Sequence, residues 1–272
     1  MTDTVALDPR RNVPGIVRPG FAHTVRAEWI KFWSVRSTTW SVVAMFVLGA
    51  GLTALVSGTS AAGLANGEIA ESPLSFVTWG MMIAQITAIV LGTLVVTSEY
   101  GTGMIRATLA ATPRRGAVLA AKGVVLTATL LVAGTVTAFA GYFAAAAFFD
   151  AQGIGVPLET DGVLRSLFGS GLYMAGLGLF AAALGLLLRH TAAVLSTVLG
   201  LVFVVGQMAW LLPGAWGEWI GKLMPGNAGS SIATPVSFNP NALAPWTGFT
   251  VFAAEVAVAV LIGWLTFRRR DA

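Results

Sequence analysis

Six long runs of mostly apolar residues leave this chain few ways to fold. They cover about Thr39 to Ser57, Trp79 to Thr97, Leu119 to Phe149, Leu164 to Leu188, Thr191 to Leu212 and Gly248 to Phe267. A helix rises 1.5 Å per residue, so roughly 20 apolar residues cross about 30 Å of hydrocarbon with every backbone group bonded inside the helix. The third run is overlong for this task, which implies either tilt or a helix that projects beyond the bilayer. Only 10% of the residues are charged, against about 25% in a globular protein. With 56% hydrophobic residues and a mean hydropathy of +0.79, burial of this much surface requires lipid, and a soluble enzyme is all but excluded. The expected fold is therefore an all-α polytopic membrane protein of six spans.

The 272 residues contain no cysteine, and histidine occurs only at His23 and His190. Disulfides, iron-sulfur ligation and a thiol nucleophile are ruled out, and a histidine zinc site is disfavoured. His23 reads as interfacial and His190 as part of a turn. No cofactor is expected on this chain.

Charge placement gives the orientation. Of the 16 Lys and Arg, 14 fall in the leading tail, the Ser98 to Val118 loop with Lys122, the Arg189-His190 turn and the terminal Arg268-Arg269-Arg270; Arg165 and Lys222 are the other two. Glu68, Glu71, Asp150, Glu159, Asp161 and Glu218 collect in the opposite loops. The positive-inside rule then predicts a plasma-membrane protein with both termini cytoplasmic, and makes the net charge of +4 a topology signal rather than a nucleic-acid surface. Residues 1–20 read as a flexible tail, 21–37 as an interfacial helix and 38–272 as the transmembrane domain. The leader is too charged and too long for a cleavable signal peptide.

Between the fifth and sixth spans, five prolines from Pro213 to Pro245 forbid a continuous helix. Trp216, Trp219, Ile220 and Leu223 nevertheless recur at helical spacing, as in a short interfacial or re-entrant helix, with a plain external loop as the alternative. Within the spans, Gly171 with Ala175, Gly178 with Ala182 and Gly134 with Ala138 would let helices approach closely.

Two segments on the inner side carry functional signals. Phe21 to Ser37 mixes Phe21, Trp29, Phe32 and Trp33 with Arg26, Lys31 and Arg36, suiting a helix in the interface plane; Glu28 falls near its aromatic side, where Lys31 one turn on is a local partner. Ser98 to Lys122 reads SEYGTGMIRATLAATPRRGAVLAAK. Glu99 sits at the mouth of the second span, Gly101-Thr102-Gly103 turns the chain, Met104 to Ala111 can form a short helix, and Pro113 ends it. Arg106, Arg114 and Arg115 offer donors to acidic groups on a soluble partner. The alternative is an ordinary cytoplasmic loop anchored by its charges.

With these residues in hand, the chain resembles the membrane-spanning subunits of type 2 ABC exporters, in particular the single-domain permeases of high-GC Gram-positive bacteria. The resemblance covers nearly the whole chain. It implies that Glu28, Lys31 and Arg36 belong to an elbow helix before the first span. It likewise implies that Glu99, Gly103, Arg106, Pro113, Arg114 and Arg115 belong to a coupling helix gripped by an ATPase, and that re-entrant helices precede the sixth span. It further implies a homodimer or heterodimer of six-span subunits carrying two separate cytoplasmic ATPase chains, where ATP and magnesium would bind. This chain lacks a G-x-x-x-x-G-K-[ST] loop; Gly217-Glu218-Trp219-Ile220-Gly221-Lys222-Leu223 has the wrong spacing and no hydroxyl residue. No catalytic residues are expected here, and the partners are ATPases, a second permease and lipids.

Inside the spans, Glu255 is an acid at membrane depth, which is costly and marks a candidate substrate cavity or a structural bond, with Arg165 as one partner. Gln85 and Gln207 are further polar candidates for that cavity or for helix cross-links. The expected activity is ATP-driven export of an amphiphilic or hydrophobic substrate such as a drug, lipid or peptide. The alternatives are an ATP-independent carrier coupled through Glu255 or a non-transporting scaffold. A carrier would carry inverted repeats with broken helices, and the prolines here lie outside the spans.

Overall fold

The computed structural model describes residues 20–105, 108, 115–212, 215–237 and 242–269. Over these residues the chain is an all-α polytopic membrane protein with six candidate transmembrane helices and no sheet.

Helix α1 (Phe21–Ser34) buries Glu28 and Phe32, four residues apart and hence on one face. Trp29 and Ile30 point away from the bundle. The face that enters the protein is thus the acid and one ring, while Trp29 and Trp33 meet edge to face at 5.8 Å on the outside. Val35 (φ −91°, ψ 121°) leaves the helical region, and α2 (Arg36–Ala65) starts directly after it. The expected elbow boundary at residue 37 is therefore corrected, because Arg36 opens the first span. That span also runs well past Ser57. Gly58 to Ala65 is small rather than strongly apolar, so hydropathy understates it. The helix stops where Gly67 takes φ +72° and the amides of Gly67 and Glu68 return to the carbonyls of Leu64 and Gly63, a Schellman ending.

The second span begins with a 3-10 turn (Pro73–Phe76) and continues as α3 (Met81–Gly101). The third, α4 (Arg115–Ala151), has 37 residues and is about 55 Å long, longer at both ends than its apolar core. The fourth, α5 (Val163–Leu188), ends at Arg189, which adopts a left-handed conformation (φ 54°) and lays its guanidinium 4.9 Å from the Tyr100 ring centroid.

The fifth span departs from the expected unbroken helix over residues 191–212. It starts as α6 (Thr191–Leu199), widens into a π-helical stretch (Gly200–Val205), and closes through α7 (Gly206–Met208) and a 3-10 turn (Ala209–Leu211). Gly200 and Gly206 bracket the β-branched run at Val202, Val204 and Val205, a composition that holds a regular α-helix weakly. Two short helices follow, α8 (Ala215–Leu223) and α9 (Pro225–Ser230), in the region expected to be broken by proline. The sixth span is α10 (Pro245–Arg269).

Successive spans alternate in direction. Gly92 and Gly185 of the even-numbered spans meet Gly178 and Val96, so α3 and α5 run together; Gly49 and Gly58 of α2 meet Thr137 and Phe148 of α4, which run the other way. Helices α3 and α5 form the centre, with 67% and 61% of their apolar windows buried against 22–39% for the other spans. Small residues make this possible: a Cβ on Gly92 would stand 2.1 Å from the Gly178 carbonyl oxygen, and one on Gly80 would stand 2.0 Å from that of Gly49. Of the small pairs read from sequence, Gly134 and Gly171 face each other rather than serving separate contacts.

Candidate functional site

At the end of the bundle that carries Arg36, Arg115, Arg189 and Arg268, four charged side chains from three helices converge. Lys122, on the third turn of α4, donates to Glu28 Oε2 of α1 at 2.8 Å and to Glu99 Oε1 of α3 at 2.5 Å. Lys31 of α1 donates to the same Glu99 oxygen. Glu28, Glu99 and Lys122 are 7%, 2% and 8% exposed, so the charges have left water. Desolvating each ion costs several kcal/mol, recovered only where pairing and charge-assisted hydrogen bonds are good. Two acids and two bases make the cluster formally neutral.

This geometry corrects the local pairing of Glu28 with Lys31. Residues 28 and 32 share the buried face, whereas Lys31 lies beside it and reaches Glu99. Lys122 was missed as a site residue because it reads as one more positive charge near a span end. Its signal was present, since a lysine with Ala120, Ala121, Gly123 and Val124 around it has no solvent to enter.

Around the cluster, Gly103 takes φ +70° in the turn after α3, as its Gly-Thr-Gly sequence requires. Arg36 is exposed, and Arg115 donates to the Phe267 carbonyl at 3.4 Å, tying α4 to the last turn of α10. Arg106, Pro113 and Arg114 lie outside the described residues.

The three polar candidates within the spans do not share one site. Gln85 donates to Met82 and accepts from the Tyr173 hydroxyl at 2.7 Å, a cross-link between α3 and α5. Gln207 donates to Asn227 of α9 at 3.3 Å and lines a cavity of about 440 Å³ among α7, α8 and α9. The lining of that cavity includes neither Gln85 nor Glu255. Glu255 is half-buried, and its Oε2 has no hydrogen-bond partner among the described residues. The pairing with Arg165 is corrected: the guanidinium donates instead to the carbonyls of Ser231, Ile232, Thr234 and Pro235 at 3.0–3.2 Å. Those carbonyls follow the end of α9, where oxygens have no partners in the helix and a cation is favoured.

Arg165 thus holds the α9 exit against α5, helped by Thr78, which donates to Ala233 at 3.1 Å. In Arg165→Met, amide exchange over residues 231–235 is expected to accelerate about tenfold or more, as charged hydrogen bonds are lost. Exchange measured by mass spectrometry at the parent rate would show that the clamp contributes nothing.

A search of curated proteins finds no match. A family model described as "Protein of unknown function (DUF2705)" matches residues 32–272, from the end of α1 through all six spans. The match covers most of the chain, which therefore belongs to the DUF2705 family.

Proposed function

We propose that this chain is the membrane-spanning permease subunit of an ATP-driven exporter of the ABC type, working as a pair of six-span subunits with two separate ATPase chains. The observation that carries the reading is the buried tie between α1 and the two spans that flank residues 102–114. Glu99 is three residues before the start of that segment and Lys122 is eight after its end, and both are bonded to α1. A push on that segment would reach α1, α3 and α4 together, as an ATPase working on a permease requires. In this reading the basic end is cytoplasmic, Arg106, Arg114 and Arg115 face the ATPase, and ATP and magnesium bind the partner. The cavity beside Gln207, lined by polar side chains such as Asn227 and Ser230, and the apolar bundle next to it together suit an amphiphilic cargo.

Native mass spectrometry of the complex extracted in mild detergent tests the assignment. The expected particle holds two copies of an ATPase with a phosphate-binding loop and two six-span chains, and it hydrolyses ATP. Arg106→Glu is expected to release the ATPase while leaving the six-span chain intact. A particle without ATPase after extraction into lipid nanodiscs would overturn the reading.

A further inference from the structure

Beside the charge cluster, between α1, the start of α2, α3 and α4, lies a cavity of about 240 Å³. One wall is apolar, with Phe32, Leu91, Leu94 and Val125; the other carries Glu28, Lys31, Glu99 and Lys122. Two features leave this wall chemically incomplete. Glu99 Oε1 receives both ammonium groups, yet Oε2 of the same carboxylate is buried with no hydrogen-bond partner among the described residues. An ionised carboxylate oxygen so placed forfeits a strong acceptor; Oε2 has almost no accessible surface as it stands, so a donor entering the cavity restores the bond by turning the Glu99 carboxylate toward the opening. Lys31, whose side chain is 28% exposed, spends one of its three N–H donors on Glu99 and, among the described residues, keeps others for an acceptor in the cavity.

The formal charges on the wall cancel, so a head group with net charge gains nothing from the cluster as a whole. A zwitterion does gain, because its cation and anion each meet a local complement. We propose that this cavity holds an amphiphile with a primary ammonium and a phosphate, of the phosphoethanolamine type. The ammonium donates to Glu99 Oε2, the phosphate accepts from Lys31, and the upper chain lies along Phe32, Leu91 and Leu94. The site sits at the span ends, at the depth where lipid head groups lie, and α1 closes it on one side. A phosphocholine head has the same charges but no N–H, so it cannot complete Glu99. This site does not depend on the transport reading.

The test uses the full chain in nanodiscs of equal phosphatidylethanolamine and phosphatidylcholine, with retained lipids counted by native mass spectrometry. The expected result is about tenfold preference for phosphatidylethanolamine, the scale of one charge-assisted hydrogen bond. Leu94→Trp fills the apolar wall and leaves all four charges, and is expected to abolish the preference. Ser98→Phe, at an exposed position of the lining, gives the same readout should Leu94→Trp fail to fold. A second arm adds dodecylammonium to phosphatidylcholine discs. Its retention, lost in the filled variants, supports the ammonium site with a soluble amphiphile as the source, whereas the lipid preference supports the bilayer as the source. Equal retention of both lipids with no dodecylammonium bound, or a preference unchanged in the filled variants, would overturn the proposal.

Discussion

Lys122→Met is expected to lose about 3–5 kcal/mol of stability, the cost of leaving buried charges without their partner. Among the described residues Lys122 alone is bonded to both acids: without it Glu28 loses its ion pair there, and Glu99 keeps the more exposed Lys31. The loss should be visible as a large drop in the fraction surviving heating in detergent, followed by size exclusion. The cause is separable from simple packing. Combining Lys122→Met with Glu28→Gln and Glu99→Gln removes the three buried charges, leaving the partly exposed Lys31, and is expected to recover most of the loss, since a neutral buried set avoids the ionic desolvation. A Lys122→Met protein as heat-resistant as the parent would mean the cluster is hydrated.

Gly92→Ala should be nearly as damaging through a different mechanism. The added Cβ would lie 2.1 Å from the Gly178 oxygen and 2.8 Å from the carbon atoms of that peptide. These are backbone atoms of the central helix pair, which cannot swing away as a flexible side chain would, so α3 and α5 must separate. Overpacking of this kind costs about 1–3 kcal/mol and more where backbone must shift. Gly51→Ala is the matched control, because nothing lies within 4 Å of its added Cβ. Its stability is expected to hold or to rise by up to ~1 kcal/mol, from alanine's better helix propensity. Equal behaviour of the two variants in the same heating assay would refute the close crossing.

The spans were legible in the sequence because lipid imposes one requirement, a long apolar helix, on every crossing. Their ends were less so, since Gly58 to Ala65 and Arg115 to Val118 are helical without being strongly apolar. The break in the fifth span left only a hint in Gly200 and Gly206. Residues of the cluster were partly legible: Glu28, Lys31 and Glu99 stood out, but their pairing joins positions 94, 68 and 23 apart, and a local i,i+3 partner was the natural guess. The partners of Arg165 could not be read at all. They are main-chain carbonyls, which every residue carries, so no side-chain pattern marks them.

Val35 gives this arrangement a mechanical property. Helix α1 is pinned through its charges to α3 and α4, yet its covalent neighbour is α2, reached across a single extended residue. Helix α2 packs along α3 and α4 deeper in the bundle, where Gly49 meets Gly80 and Thr137, so a body of α2, α3 and α4 carries α1 through one backbone joint and one set of charge contacts. The orientation of α1 on that body is held by the Glu28 and Lys31 bonds and set by the two backbone torsions of Val35. A proline there would fix one of them, and so convert the joint from a swivel into a weld.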